Sequence, residues 1–192
     1  MEKKEQLLEA GKVIFSAKGF KDTSVAEIAR AAGLATGTFY LYFASKEALF
    51  MALFLVENEK LKRTLMASFD GDAEPLVAIQ TLMRQNLQGL AANPILKEWF
   101  NKDCFSKIEA KYREENGLER LDFLYEGFLS IVENWQASGK LRSDIPSDMI
   151  MALFGAIIVI DTHKEEIGYK YFPKIQDYLT EFLMKGLTNV SS

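Results

Sequence analysis

Residues 19–50, GFKDTSVAEIARAAGLATGTFYLYFASKEALF, constrain the fold most strongly, because they hold the start signals of three helices. The first signal begins at Ser24. Its hydroxyl can accept a hydrogen bond from the backbone N–H of Glu27, while the Glu27 carboxylate reaches back to the N–H of Ser24. Apolar residues follow at spacings of three and four, which is the pattern of an amphipathic helix. We therefore predict a helix over about residues 25–31.

A glycine turn separates this helix from a second one. Gly33 fits the left-handed conformation that closes a helix, and an apolar residue follows it to pack the turn onto its neighbours. The next segment, residues 36–42, is then predicted to be a short helix leaving at a steep angle, and Ser45 begins a long helix to about residue 68. A helix, a short glycine turn and a second helix form a helix-turn-helix, whose second helix can enter the DNA major groove.

The second of these helices has two distinct faces. Phe39 and Phe43 lie four residues apart, so both are expected to face inward. The other residues would form the outer face: Thr36, Gly37, Thr38, Tyr40 and Tyr42. On an ordinary short helix they would be half-buried aromatics and surface threonines, but the neighbouring motifs favour a functional face.

The spacing of residue types across this region is that of a known family. The matching residues are Phe15, Gly19, Phe20, Thr23, Ser24, Val25, Ile28, Ala29, Ala32, Gly33, Leu34, Gly37, Thr38, Phe39, Tyr40, Tyr42, Phe43, Ser45, Lys46, Glu47 and Leu49. With this pattern the region closely resembles the DNA-binding domain of TetR-family transcriptional regulators. The resemblance covers about a quarter of the chain, and so many fixed spacings are far more specific than a lone glycine motif.

The resemblance implies which residues contact DNA. Base edges and the nearby backbone would be contacted by Thr36, Gly37, Thr38 and Tyr42. Tyr40 and Lys46 would hold phosphates, and Ser24 completes the DNA-binding set.

Departures from the family pattern at three positions affect how this chain would read DNA. Ala35 stands where the family usually has a capping residue such as Ser, and such a cap is generally worth about 1 kcal/mol. Thr36 and Leu41 replace the long polar or basic residue and the His that are common there. Few side chains can therefore form hydrogen bonds to bases, so we expect backbone contacts, methyl contacts to thymine and DNA shape to contribute more.

The charge is distributed unevenly along the chain. Residues 1–50 hold 7 Lys/Arg and 6 Asp/Glu, net +1, while residues 51–192 hold 16 and 21, net −5, which together give the total of −4. A net charge of +1 is a weak electrostatic footprint for nucleic acid. Lys3, Lys4, Lys46 and helix N-termini would supply most phosphate contacts, and tight binding should need two copies of the domain.

The remainder of the chain is predicted to be helical throughout. An amphipathic helix is expected over residues 3–18, and further helices over 75–91, 94–103, 106–115, 118–138, 147–167 and 173–188, with no strand pattern. We therefore predict an all-α fold. An N-terminal three-helix DNA-binding domain, residues 1–47, would be joined by a continuous helix to a helical ligand-binding and dimerisation domain, residues 48–192.

Two late helices carry more apolar surface than an isolated bundle needs. Packed against their symmetry mates, they would form a four-helix, two-fold interface. Its predicted residues are Met151, Phe154, Ile158, Ile175, Tyr178, Leu179 and Phe182. An intrachain core is the alternative, and the resemblance favours the homodimer.

The middle of the chain is rich in large, adaptable side chains, which are more often core than ligand contacts. The resemblance nonetheless implies a mostly apolar small-molecule cavity there. The candidate lining residues are Met83, Leu87, Trp99, Phe100, Phe123 and Phe128.

The chain has few side chains suited to catalysis or metal binding. His163 is the only histidine, which excludes metal sites or relays that need two, and there is no glycine-rich phosphate loop or nucleophile elbow. We expect no enzyme, no cofactor and no metal. The single Cys104, the absence of a charged and apolar leader, and a longest apolar run of 12 residues, 149–160, indicate a cytoplasmic protein with no membrane partner.

Together these features predict a ligand-responsive homodimeric transcriptional regulator. Repression is the direction that the family implies: a small, largely apolar effector would release the protein from a palindromic DNA operator, acting through the helix over residues 45–68. The alternative is a helical small-molecule-binding or interaction protein with a degenerate DNA-binding domain.

Overall fold

The computed structural model of the chain describes residues 2–115 and 122–188. Within them every regular element is a helix, which confirms the all-α prediction. The α-helices are α1 (Lys3–Lys18), α2 (Val25–Ala31), α3 (Thr36–Phe39), α4 (Lys46–Ala67), α5 (Pro75–Ala92), α6 (Phe105–Glu114), α7 (Asp122–Ala137), α8 (Ser147–Val159), α9 (Lys164–Ile167) and α10 (Lys174–Thr188). Short 3-10 helices lie at Leu96–Phe100, Ile160–His163 and Tyr169–Tyr171. No helix in the described part of the chain is both long enough and apolar enough to cross a membrane.

The chain divides into two compact units. The first comprises Met1–Arg63 and Leu87–Leu121, and the second Thr64–Asn86 and Asp122–Ser192. Helices α4 and α5 contribute residues to both units, and α4 is the continuous helix that the sequence predicts. The domain boundary between residues 47 and 48 stays a prediction.

The first unit is held together by buried aromatic rings. Under α1–α3, Phe15, Phe39 and Ile28 are fully buried. The Phe15 ring packs edge-on against Phe50, with ring centroids 5.0 Å apart. Further along the same unit, Phe54 packs against the rings of Trp99 and Tyr112. The buried residues of this unit position the N-terminal helices α1, α2 and α3.

The second unit has its own core, which is centred on Trp135. Its other buried members are Ala78, Ile79, Val132, Leu141, Ile150, Met151, Met184 and Leu187. The Trp135 indole Nε1–H donates to the Gly71 carbonyl oxygen at 2.7 Å, so the one polar atom of the ring is paired. This bond holds the loop between α4 and α5 on the core of the unit.

The segment predicted as a helix over 94–103 contains only the 3-10 helix Leu96–Phe100. Asn93 Oδ1 accepts from the backbone N–H groups two and three residues further on, at 2.9 and 3.2 Å, as an Asn cap does. Asn101 Oδ1 accepts from the N–H of Asp103 at 3.2 Å. Asn side chains that bond the nearby backbone compete with helical hydrogen bonds, and this one ends the segment early.

The helix predicted over 147–167 is interrupted, because α8 ends at Val159 and a 3-10 turn separates it from α9. Residues 157–160 are four β-branched residues in succession, whose restricted rotamers lower helix propensity. The Thr162 hydroxyl also donates to the Val159 carbonyl at 2.8 Å, which favours a local turn. Of the helix predicted over 118–138, the first four residues lie outside the described part of the chain.

Replacing Trp135 by Phe tests the core of the second unit. Phe keeps an aromatic ring but leaves the Gly71 carbonyl without its donor, so we expect the free energy of unfolding to fall by about 1–3 kcal/mol. Urea denaturation followed by circular dichroism measures this change. Trp135→Leu removes the ring as well and should cost more. A loss below about 0.5 kcal/mol in Trp135→Phe would contradict a stabilising role of this bond.

Candidate nucleic-acid interface

The start of α2 has the predicted capping box. The Glu27 N–H donates to Ser24 Oγ at 3.3 Å, and the Ser24 N–H donates to Glu27 Oε2 at 3.1 Å. The Lys18 ammonium also donates to the Glu27 carboxylate. The hydrogen bond from Lys18, followed by those from Ser24, lowers the pKa of Glu27 to about 2. The carboxylate is therefore ionised at neutral pH and holds the end of α1 beside the start of α2.

The turn between α2 and α3 also follows the prediction. Gly33 has φ 70°, the left-handed region that only glycine adopts without strain, and the Leu34 N–H returns to the Ala29 carbonyl at 2.9 Å. Ala35 precedes α3 and provides no side-chain cap. The chain thus changes direction over a few residues, as a helix-turn-helix requires.

Helix α3 is shorter than predicted, since it ends at Phe39 instead of Tyr42. The N–H groups of Leu41 and Tyr42 donate to carbonyls three residues back, at 3.2 and 3.0 Å, so the chain continues as a tighter turn. With no cap at position 35, this short helix depends on packing. Phe39 and Phe43 are both buried, which confirms that they face inward.

The outer face of α3 and the following turn is open to solvent. Thr36, Gly37, Tyr40, Leu41 and Tyr42 are exposed, while the Thr38 side chain is half-buried. Exposed aromatic and aliphatic side chains around a buried phenylalanine core form a surface that could lie in a groove. The predicted base-reading residues are thus brought together on one face, with Ser24 exposed at the start of α2. Their contacts with DNA stay a prediction.

Lys46 has a structural contact that the sequence analysis missed. Its ammonium donates to the carbonyls of Phe20 at 2.8 Å and Thr23 at 2.9 Å, and lies 4.4 Å from the centroid of the Phe20 ring. Burial lowers the pKa of Lys46. The first residue of α4 therefore fastens the loop between α1 and α2, while its predicted phosphate contact stays a prediction.

Acidic partners engage other lysines of the same region. Lys12 pairs with Glu57 at 2.9 Å, and Lys21 pairs with Asp103 at 2.8 Å. Both acids lie outside residues 1–50, so counting charges within those residues could not find these pairs. Since Glu57 and Asp103 add negative charge beside residues 1–50, the net charge of this region is lower than the sequence count of +1.

The six predicted ligand-lining residues fall in both compact units. Leu87, Trp99 and Phe100 belong to the first unit, and Met83, Phe123 and Phe128 to the second. Trp99 is buried among aromatic rings, while Met83 and Phe128 pack against the core of the second unit. A shallow surface depression in the first unit, next to Phe20, Phe50 and Ile108, is lined by none of the six. The ligand site stays a prediction.

The predicted dimer residues all lie on α8 and α10 of the second unit. Ile158, Tyr178 and Phe182 are exposed, and the last two rings stack with centroids 6.1 Å apart. Phe154, Ile175 and Leu179 are half-buried. Met151 belongs to the core of its own unit, which gives it an intrachain role. The interface itself stays a prediction.

Comparison with known proteins decides the family. The sequence profile described as bacterial regulatory proteins, tetR family, matches residues 7–53. The uncharacterised HTH-type transcriptional regulator YerO of Bacillus subtilis (strain 168) is 31% identical over 213 residues, covering 97% of this chain. The chain belongs to the TetR family. It spans 66% of the length of YerO.

Two solved structures share the fold. A TetR-family transcription regulator from Shewanella sp. PV-4 has a TM-score of 0.52 and 25% identity, with 96% of each chain covered. The structure of RolR in complex with its ligand resorcinol has a TM-score of 0.62 and 15% identity, covering 96% of this chain and 87% of its own. Membership of this non-enzymatic family agrees with the expectation that the chain is not an enzyme.

Lys46→Met separates a structural role of this lysine from a phosphate contact. Met keeps the alkyl stem but removes the ammonium that binds two carbonyls, so we expect the free energy of unfolding to fall by about 1–2 kcal/mol. Thermal and urea denaturation measure it. Lys3→Met, at an exposed lysine of the same region, should leave stability almost unchanged. A variant as stable as the wild type would contradict the structural role.

Proposed function

We propose that this TetR-family chain is a DNA-binding transcriptional regulator that acts as a homodimer, with the N-terminal residues 1–50 as the reading head and α2 and α3 as its helix-turn-helix. The observation that carries the proposal is the exposed face of α3 and its following turn, held on buried Phe39 and Phe43. Each dimer would place two such faces in successive major grooves of a near-palindromic operator, about 34–36 Å apart.

The composition of the reading face supports recognition by shape and apolar contact. Thr36 and Thr38 offer methyl groups as well as hydroxyls, and Leu41 is exposed between two tyrosines. Methyl and aliphatic groups read the thymine C5-methyl, while Tyr40 and Tyr42 offer hydroxyls that can donate to phosphate oxygens. We propose A·T-rich half-sites whose shape contributes to selectivity.

The surface of the second unit supports the homodimer. Large apolar side chains that are costly to leave in water lie exposed along α8 and α10, and they are Met149, Leu153, Ile158, Val159, Tyr178 and Phe182. Gly155 and Gly186 have open space where a Cβ would be, so a neighbouring helix could approach closely. An isologous four-helix contact would cover this surface.

The effector and the direction of the response belong to the proposal as well. RolR, which has the same fold, binds resorcinol in its solved structure. For this chain we propose a small, mostly apolar effector that releases the dimer from its operator. The protein would thus act as a repressor in the cytoplasm. Met83, Leu87, Trp99, Phe100, Phe123 and Phe128 are the candidates for contact with it.

A second candidate function has one observation in its favour. The ammonium groups of Lys12, Lys18, Lys21 and Lys46 all contact acceptors within the chain. A reading head with so few uncommitted cations is what a degenerate DNA-binding domain would show, in a protein that binds only small molecules or partners. DNA selection separates the two functions.

Selection from a random duplex library by the purified protein should enrich an inverted repeat. Tyr40→Phe removes one hydroxyl from each reading head and should weaken binding about three- to tenfold without changing the selected site. Thr38→Ala should relax the preference at particular base pairs. Fluorescence anisotropy with the selected duplex, measured over a range of salt concentrations, gives both affinities.

The matched control is Tyr125→Phe, since Tyr125 in the second unit is 46% exposed and Tyr40 is 56% exposed. It should bind DNA as the wild type does. If the folded protein enriches no sequence at any salt concentration, the DNA-binding domain is degenerate and the proposed function is wrong.

Phe182→Glu tests the dimer. A charge on an exposed apolar face would have to be desolvated in the interface, so we expect a dimer for the wild type and a monomer for the variant at micromolar concentration. Analytical ultracentrifugation measures the mass. Val77→Glu is the control, because Val77 is 57% exposed and Phe182 64%. A monomeric wild type, or a variant that remains dimeric, would contradict the proposed interface.

A further inference from the structure

The loop between α1 and α2, residues 19–23, contacts two other parts of the first unit. The Lys46 ammonium binds its carbonyls. Glu98 and Asp103, which lie about 80 residues later in the chain, contact the loop as well. A Cβ added at Gly19, where φ is 80°, would lie 2.8 Å from Glu98 Oε1. The segment between α5 and α6 is therefore packed directly on this loop.

The position of Asp103 is set by a turn that is held by a buried carboxylate, that of Glu98. Glu98 is 6% exposed, and its Oε2 accepts from Asn101 Nδ2 at 2.9 Å and from Cys104 Sγ at 3.2 Å. Asn101 Oδ1 in turn accepts from the N–H of Asp103 at 3.2 Å. These bonds fix the backbone of residue 103 and leave its carboxylate to point outward.

That carboxylate meets the Lys21 ammonium. The Nζ to Oδ2 distance is 2.8 Å, and the two side chains are 64% and 63% exposed. The hydrogen bond and charge of Asp103 raise the pKa of Lys21, and those of Lys21 lower the pKa of Asp103. An exposed pair of this kind adds little to stability. The pair matters more for the charge of the reading head than for its stability, since Asp103 neutralises one of only seven basic residues among residues 1–50.

We propose that Asp103 competes with the DNA backbone for Lys21, so that the segment between α5 and α6 sets the DNA affinity of the reading head. Lys21 lies three residues before Ser24, on the loop that leads into α2. A phosphate that takes the ammonium must displace Asp103, which then recruits a cation from solution. The exchange releases no net counterion, whereas a free Lys21 would release one.

The proposal gives the later part of the chain a second route to the reading head, besides the continuous helix α4. A shift of residues 98–104 toward Lys21 would hold the ammonium away from DNA, and a shift away would free it. This inference rests on the proposed DNA-binding function. It adds a named charge pair through which that function can be regulated.

Asp103→Asn tests the competition in the full-length protein, because Asn has the same shape without the charge. We expect binding to the selected duplex to tighten about two- to fivefold at moderate salt concentration. The slope of log affinity against log salt should become steeper by about 0.9 for each reading head, or about 1.8 for a dimer. Lys21→Gln combined with Asp103→Asn should lose both gains.

Two controls separate this competition from a general loss of negative charge. Asp22→Asn removes an equal charge beside Lys21 but leaves the Asp103 carboxylate in place, so its salt slope should stay close to that of the wild type. Asp70→Asn, in the second unit, should have no effect on DNA binding.

The outcomes of this test are distinct. A wild type that binds its selected duplex, with an Asp103→Asn variant of unchanged affinity and slope, would overturn the competition alone. The competition is also overturned if Asp22→Asn steepens the slope equally, or if the gain survives in the Lys21→Gln background. If neither the wild type nor Asp103→Asn binds any duplex, the proposed function fails, and this inference fails with it.

Discussion

The burial of Phe39 and Phe43, whose ring centroids lie 5.8 Å apart, is the constraint on which the proposed reading head depends. Helix α3 has four residues, and a helix this short is not stable on its own in water. The entropy lost in fixing the first turn exceeds the free energy gained from its hydrogen bonds. The helix also lacks a capping side chain at Ala35. Its position is therefore set by tertiary contacts of its buried side, which Phe39 provides. Any change in this packing would reorient the exposed face above.

Polar contacts, in addition to the apolar core, fix the positions of α1, α2 and the loop between them. Lys46 binds carbonyls of the loop before α2, and Glu27 holds the end of α1 through Lys18 and the start of α2 through Ser24. Each of these charges is used for internal hydrogen bonds. The reading head therefore gains a fixed geometry at the expense of its electrostatic attraction for DNA, which makes contact by shape and apolar groups more important.

Residues from later in the chain take part in this balance. Glu57 on α4 accepts from Lys12 of α1 at 2.9 Å and from Asn93 at 3.0 Å, while Asp103 holds Lys21. The same first unit thus contains the three N-terminal helices and the segment between α5 and α6. A change in the later segment need not travel through α4 alone to alter the reading head, since the two are in direct contact.

Local signals in the sequence determined the fold class, the N-terminal helices and the turn between α2 and α3. The capping box at Ser24 and the left-handed Gly33 could be predicted because they depend on residues less than six positions apart. The inward direction of Phe39 and Phe43 followed from helical spacing. By contrast, helical spacing alone did not reveal the 3-10 helix at Leu96–Phe100 or the break after Val159, because Asn101, the β-branched run 157–160 and Thr162 are local signals that compete with the helix. Only the tertiary structure assigned Lys46 to two carbonyls, Met151 to an intrachain core and Asp103 to Lys21. Such pairs join residues far apart in the chain, and local patterns carry no information about which distant acid will reach a given lysine.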